Sequence, residues 1–482
     1  MRRSGMDNLK RSLGFWACLS VSMGLVVASS TLVTLGQGMG IAGPGFVIAM
    51  IAAWVLQHFS AQSFAELACL MPNAGGIRSY TQVALGPLIA MVATIAGYII
   101  PNFFAVPSEL AIAGSIISST FIPSCSPAVI GGVLFGVLIV FNVLGVDVFA
   151  KSQILFTTVM MVSIAGLGII GLTEVGNPSL YHLSQMDFNP MGWGVLSLTA
   201  LAIWLYIGIE FVTPMAQEIQ QPEKHIPKAM SLGLLIIFVI NLLYGLTCIK
   251  YVPLGKLAES MSPHILVAQA VLGKPGLIII SIVSLFATAS TVNTVIAVVP
   301  RMLYSMALSG ELPAVFGKLH PRFRTPWIGI LAMSGVIGGF YFGGIANAGN
   351  IMVYLLAAVS SWLLCYIVAH IDVIVLRLRY PRLKRPYKSP LFPVPQILGA
   401  LGMLASFINI FPDPEIRNTI MRWSGLFIGM SVVYSALWLK FVLNQKLFKP
   451  VPLEPVLKYM EMEEPVQNTK KVDVAFGSSI EC

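Results

Sequence analysis

AIWLYIGIEFVTPMAQEIQQPEKHIPKA, residues 202–229, starts inside an apolar run of membrane length and ends in a polar segment bracketed by Pro222 and Pro227. Gly208 and the carboxylate of Glu210 fall within the apolar part, and Lys224 and Lys228 in the polar loop that follows. Glycine weakens a helix because its backbone has the most freedom to lose. An acid at bilayer depth is costly and is kept there for a partner or a task. Together they predict a membrane helix interrupted near Gly208, its freed backbone groups turned to protein or to a water-lined cavity.

The rest of the chain fits that setting. Of its 482 residues 56% are hydrophobic and 10% charged, where soluble domains carry roughly 25% charged residues. The mean hydropathy is +0.84. At roughly 20 residues per spanning helix, the apolar runs give about twelve spans, near 13–42, 45–70, 86–119, 127–145, 152–173, 192–217, 230–251, 275–307, 326–345, 350–375, 393–412 and 421–443. Long runs such as 275–307 are expected to include turns that do not span. The fold class is therefore an all-α integral membrane protein with no sizeable soluble domain. Residues 1–12 read as a cytoplasmic N-terminus and 13–443 as the membrane domain. Residues 444–482, which include the low-apolar section MEMEEPVQNTKKVD (460–473), read as a disordered cytoplasmic tail.

The net charge of +9 could point to nucleic acid, but its distribution points to the membrane. With the N-terminus cytoplasmic and the spans alternating, only Lys250, Lys256, Lys274, Arg417 and Arg422 lie outside, leaving 24 of the 29 Lys and Arg inside. That bias sets topology, and an even span count puts both termini in the cytoplasm. The cluster RLRYPRLKRPYK at 377–388 reads as a topology anchor. The basic start and apolar run of residues 1–33 lack a cleavage site and read as a retained first span. The six cysteines are scattered, with no metal-binding spacing. No nucleophile–base set, phosphate loop or metal motif stands out, so no enzyme and no cofactor are expected.

The polar residues inside the spans are the candidate site. Glu109 follows Pro101, Asn102, Pro107 and Ser108 in the third span. Prolines free backbone carbonyls and kink the helix, so Glu109 faces the bundle interior, either as a structural hydrogen-bond partner or as an amine or proton site. Glu210 is the stronger coupling candidate. Trp204 and Tyr206 would close over a ligand or stack on a cationic one, or simply pack. Ser29, Ser30 and Thr31 sit in the first span before Gly36, Gln37, Gly38 and Gly40. Hydroxyls there serve helix packing, or, if the helix breaks, join free amides in receiving a carboxylate. His58 and His370 are lone intramembrane histidines, read as packing before proton relay. Glu66 is expected to anchor the loop after its own span.

Four stretches resemble the amino acid–polyamine–organocation permeases: FAELACLMPNAGGIRSYTQVALGP (64–87), WLYIGIEFVTPMAQEIQQPEKHIPKA (204–229), RMLYSMALSGELPAVFGKLHPRFRTPWIGI (301–330) and LRLRYPRLKRPYKSP (376–390). The resemblance implies a LeuT-type fold with inverted five-span repeats (about 13–173 and 192–375), spans 1 and 6 unwound, and peripheral spans at about 393–443. It implies Gly208 at the sixth-span break, Trp204 as gate and Glu210 as polar coupler. Two departures stand out. Ser29-Ser30-Thr31 replaces the family's Gly-Ser-Gly, which puts a standard carboxylate site in question. The fifth span has Met160 near the point where some members carry a lysine, so lysine-based proton coupling is not expected, nor sodium coupling through Thr157 or Thr158.

The resulting expectation is a secondary active transporter of amino acids in a bacterial inner membrane, a proton symporter or exchanger working by alternating access. Substrate would touch Ser29, Ser30, Thr31, Asn102, Trp204, Ile207, Gly208 and Ile209. Glu210 and Glu109 would serve proton coupling or an amine. The nearest alternative is a polyamine or small organic amine permease or antiporter. A non-transporting nutrient sensor is a remote one. Partners are the small-molecule substrate and the lipid bilayer.

Overall fold

The computed structural model describes residues 11–344, 351–411 and 413–453, and among them the chain is helical with a single isolated bridge, Leu13 to Ile219. Of the tail expected over 444–482, residues 444–453 dock on the bundle, with Leu88 N donating to the Leu447 carbonyl at 3.0 Å and Val451 N to the Gln82 carbonyl at 2.9 Å, and the rest, including 460–473, lies outside the described residues. The first span is two helices, α1 (Phe15–Gly24) and α2 (Ser29–Ala42), followed by α3 (Phe46–Leu70) and the short α4 (Ile77–Ala84). The third span is α5 (Pro87–Thr94) and α6 (Asn102–Phe121), joined by a π-helical turn at Ile95–Ile99. Then come α7 (Pro127–Val143) and α8 (Val146–Thr173). The predicted sixth span is a 3-10 turn (Gly192–Leu198), α9 (Thr199–Ile203), an irregular stretch and a second 3-10 segment (Ile209–Glu218). The remainder is α10 (Pro222–Tyr251), α11 (Leu254–Glu259), α12 (Pro263–Leu272), α13 (Lys274–Leu308), α14 (Trp327–Phe342), α15 (Ile351–Arg379), α16 (Val394–Ile408) and α17 (Pro414–Leu437).

Among the described residues, seven helical stretches are long and apolar enough to cross a membrane: 29–70, 87–121, 146–173, 222–251, 274–308, 355–379 and 414–442. The other predicted spans fall on shorter apolar helices. The most apolar part of α13 is 83% buried and that of the α17 stretch 22%, so α13 lies at the centre and α17 at the edge.

Two sequence expectations do not hold. The run 275–307 contains no turn: α13 is one continuous helix, with Pro300 inside it and, after Gly276, no glycine to interrupt it. The expected loop around Lys224 and Lys228 is wound into α10. Pro222 stands in the first helical turn, where its missing N–H costs no hydrogen bond.

Buried ion pairs gather at the end of the bundle where both described termini lie. Ser12 and Leu13 donate backbone hydrogen bonds to the Glu218 carbonyl at 2.9 and 2.8 Å, and Val451 donates to Gln82. Arg301 pairs with Glu218 and Arg78 with Glu311. Glu66 takes Arg377 Nε at 2.9 Å and Arg385 Nε at 3.3 Å. Each pair joins two of the four permease-like stretches: 301–330 to 204–229, 64–87 to 301–330, and 64–87 to 376–390. Glu66 therefore anchors the loop after α15, not the loop after α3, because Arg377 and Arg385 fold back onto it.

Candidate functional site at two facing helix breaks

The first break spans residues 25–28, between α1 and α2. A broken helix leaves carbonyls at one end and amides at the other without partners. Here both sets are satisfied. On the α1 side, Ser290 Oγ of α13 donates to the Gly24 carbonyl at 2.9 Å, and Thr291 Oγ1 reaches the Gly24 and Leu25 carbonyls at 3.4 Å. Thr31 closes the break upon itself: its hydroxyl donates to the Val26 carbonyl at 2.6 Å and accepts from the Ala28 amide at 3.2 Å.

On the α2 side the two leading amides are taken by one side chain. Ser29 N donates to Glu109 Oε2 at 3.0 Å and Ser30 N to Glu109 Oε1 at 3.1 Å. Glu109 comes from α6, is buried, and has no basic partner among the described residues. Thr288 Oγ1 lies 3.4 Å from the same carboxylate, and Ser29 Oγ bonds to the Ser284 carbonyl at 3.1 Å. A carboxylate on the exposed amides of a helix N-terminus is a favourable anion arrangement. The protein supplies the anion itself.

The second break spans residues 204–208. Gly208 has φ +108°, a conformation that side-chain-bearing residues rarely take. A Cβ there would overlap the side chain of Leu25, so the two breaks touch at this point. Trp204 Nε1 donates to Ser30 Oγ at 3.2 Å and bridges them again. Trp204 is half-buried, with Trp362 of α15 at 6.0 Å between ring centroids. Ile207 and Ile209 are buried on either side of Gly208.

Just past this break, Glu210 accepts from Tyr366 OH at 3.0 Å and Tyr98 OH at 3.3 Å. It too is buried with no basic partner among the described residues. Phe211 packs against Tyr98 at 5.2 Å and Trp362 at 6.5 Å between centroids. The Nε1 of Trp362 and the hydroxyl of Tyr206 are buried with no protein partner among the described residues. A buried donor left unpaired costs free energy that a ligand or water group offsets when it binds there.

The structure thus brings together Ser29, Ser30, Trp204, Gly208 and Glu109, with Glu210 beyond the second break. Thr31 spends its hydroxyl on its own break. Asn102 donates to the Tyr98 carbonyl at 2.7 Å, one turn back in its own span. Met160, expected near the coupling position of the fifth span, is buried. Closer to the first break on α8, the Gln153 amide nitrogen is 2.7 Å from Ser290 Oγ and 3.5 Å from the Ser20 carbonyl, with Thr157 Oγ1 3.3 Å from the same carbonyl. Sequence reasoning missed Tyr98, Tyr366, Trp362 and Gln153. The signal for the α15 pair was present in SSWLLCY (360–366), polar aromatics inside an apolar run. It also missed Asp372, fully buried in α15 and bonded to Thr81 at 2.6 Å.

The amino acid permease family model matches residues 15–445. The branched-chain amino acid permease BcaP of Bacillus subtilis is 26% identical, the match covering 88% of this chain and 93% of the relative. The serine/threonine exchanger SteT of the same organism is 25% identical over 88% of this chain and 96% of the relative. Its methylthioribose transporter is 24% identical over 85% and 90%.

Proposed function

The chain belongs to the amino acid permease family, and on that premise we propose that it is a secondary transporter. It carries amino acids across a bacterial plasma membrane by alternating access, with twelve spans and both termini cytoplasmic. The observation that carries this reading is the contact between the two breaks at Gly208 and Leu25. One break lies in the first predicted span and one in the sixth, as two inverted five-span repeats would place them.

Substrate lies between the breaks. Its α-carboxylate matches the amides of Ser29 and Ser30, which Glu109 holds here, so binding displaces Glu109 toward Thr288. Its ammonium meets the carbonyls of residues 207–209 and the Glu210 carboxylate. Trp362 Nε1 and Tyr206 OH supply donors no protein group uses. On α8 the side chain that reaches α1 and α13 is the neutral amide of Gln153, while Lys151 of the same helix is exposed. Exchange, or proton coupling through a glutamate, is the mode this favours.

The same Glu109 contact favours a second reading. If Glu109 stays in place, the cradle is closed to carboxylates and the site takes an organic amine. One relative is named for methylthioribose, a compound without a carboxylate. Substituting Glu109→Gln in proteoliposomes separates the two by sign. Removing a competitor for the Ser29 and Ser30 amides lowers the apparent KM for a labelled amino acid several-fold. Removing an ammonium partner raises the KM about tenfold or more, as loss of a charged hydrogen bond of about 1.5–3 kcal/mol requires, and decarboxylated analogues then compete with substrate. An unchanged KM removes Glu109 from both readings.

A further inference from the structure

The end of α15 and the loop after it hold the densest run of charge in the chain. RLRYPRLKRPYK, residues 377–388, has six cations and no acid. Among the described residues its one acidic partner is Glu66 of α3, shared by Arg377 and Arg385. The loop is fixed in place. Arg385 spends both terminal nitrogens on carbonyls where α15 ends, Nη2 on Leu376 at 3.0 Å and Nη1 on Leu383 at 3.1 Å. Tyr387 OH bonds to Gln62 of α3, and Ser389 Oγ accepts from Gln396 of α16 at 2.8 Å. The Ser389 amide donates to Glu66 at 2.8 Å. Arg377 lies over the ring of Phe392, 4.4 Å from its centroid.

These contacts leave a cavity of about 200 Å³ lined by Arg377, Pro381, Arg385, Lys388 and Phe392. At about 30 Å³ per water, it has room for a phosphate group. Two donors on its wall are unused. Arg377 bonds through Nε and Nη2, and its Nη1 has no partner among the described residues. Lys388 is exposed and has neither an ion pair nor a hydrogen bond among them. The wall thus sets three cations, Arg377, Arg385 and Lys388, against the single carboxylate of Glu66. We propose that this cavity binds the phosphate of an anionic phospholipid, its oxygens taken by Arg377 Nη1 and Lys388 Nζ.

The chemistry recognised is a phosphate oxyanion, which accepts charged hydrogen bonds from both side chains. The surroundings choose a lipid as its source. Leu391, beside Phe392, and Val394, Leu398 and Leu401, at three- and four-residue spacing along one face of α16, are exposed apolar residues. A headgroup in the cavity leaves its acyl chains on that face, whereas a soluble phosphate leaves the face uncovered. Basic pockets between membrane helices hold anionic headgroups in this way. A zwitterionic lipid fits poorly, because its ammonium group meets the same three cations. A topology anchor treats every cation of the run alike. The site singles out Lys388 from Arg382 and Lys384, which are exposed and do not line the cavity.

The test needs no transport. It reads the melting temperature of the full-length protein, delipidated in detergent. The probes are dioleoylphosphatidylglycerol, dioleoylphosphatidylcholine and water-soluble glycerol phosphate, titrated singly. Phosphatidylglycerol should raise the melting temperature by several degrees, and phosphatidylcholine should not. Lys388→Gln should raise the half-saturating phosphatidylglycerol concentration about tenfold, as loss of one charged hydrogen bond implies. Lys388→Arg should stay within twofold of the parent, and so should the double variant Arg382→Gln/Lys384→Gln. Lys388→Ser serves if Lys388→Gln does not fold, with the same expectation. An equal effect of the two lipids on the parent overturns the site. So does a Lys388→Gln response within twofold of the parent, or an equal loss in Lys388→Gln and the double variant, which leaves a diffuse topology anchor. Glycerol phosphate that reproduces the full rise at the same concentration overturns the lipid assignment, the cavity then being a site for soluble anions.

Discussion

Glu66, Glu218 and Glu311 at the terminal end and Glu109 and Glu210 at the breaks are equally buried, each 3% exposed or less. The first three all face arginines. The last two face only amides and hydroxyls. An acid paired with arginine is fixed: removing either partner strands a charge in the interior. An acid held by neutral donors can lose its charge, or its place, at small cost to the fold. The terminal acids therefore clamp the bundle, and the break acids are free to exchange partners as the protein works.

The sharpest way to break this contrast is Arg301→Met, which leaves Glu218 buried without its cation. Stranding such a charge costs about 3–5 kcal/mol, so denaturant unfolding in detergent should show a larger loss than any single change at the two breaks. Replacing both partners, Arg301→Met with Glu218→Leu, should recover most of it, because a buried pair and an apolar pair are often near equal in stability. Failure of the double variant to recover would mean that the pair does more than hold the fold.

Gly208→Ala comes next. The positive φ costs a side-chain-bearing residue about 1–3 kcal/mol, and the methyl group must also move Leu25. Unfolding should register that loss. Substrate uptake should fall further than stability does, since Leu25 lies in the opposite break. Equal losses in both would make Gly208 a packing glycine only.

Glu210→Gln should cost least of the three in stability, about 1 kcal/mol or less, because its amide oxygen still accepts from Tyr98 or Tyr366. Gradient-driven uptake should be lost, while counterflow persists with its KM raised about tenfold, because the carboxylate also meets the substrate ammonium. Uptake that survives the change removes Glu210 as the coupler and leaves Glu109.

The same division explains what could be read from the sequence. The helical membrane fold, the break at Gly208 and the four family stretches were legible because composition, glycine and acid placement are local signals. The ion pairs joining those stretches were not, since Arg301 and Glu218 are 83 positions apart. Ser29 and Ser30 were legible as a pair of hydroxyls at a possible break. That Glu109 would cap their amides depends on how α6 crosses α2, which no local pattern carries. Met160 was chosen by counting along α8, and Gln153 reaches the Ser20 carbonyl and Ser290 because it lies on the face turned toward α1 and α13.

The gentlest test lies on an ion pair of an exposed acid with a buried lysine, which should behave like neither set of buried acids. Lys250 Nζ sits 2.7 Å from Glu174, just past the end of α8. The hydrogen bond from Lys250, then that from Ser179, holds the Glu174 carboxyl below its ordinary range. A carboxyl lowered by folding adds stability above its unfolded value and loses it as pH falls through the folded one. Lys250→Met should therefore lower the melting temperature slightly at pH 7, and the gap to the parent should close as pH drops below about 4. Because the Glu174 side of the pair is exposed, added salt should shrink the gap in part. A difference that persisted at pH 3 and in high salt would instead trace to the Lys250 contact with the Leu172 carbonyl at 3.2 Å, and this pair would then act as a helix-end cap.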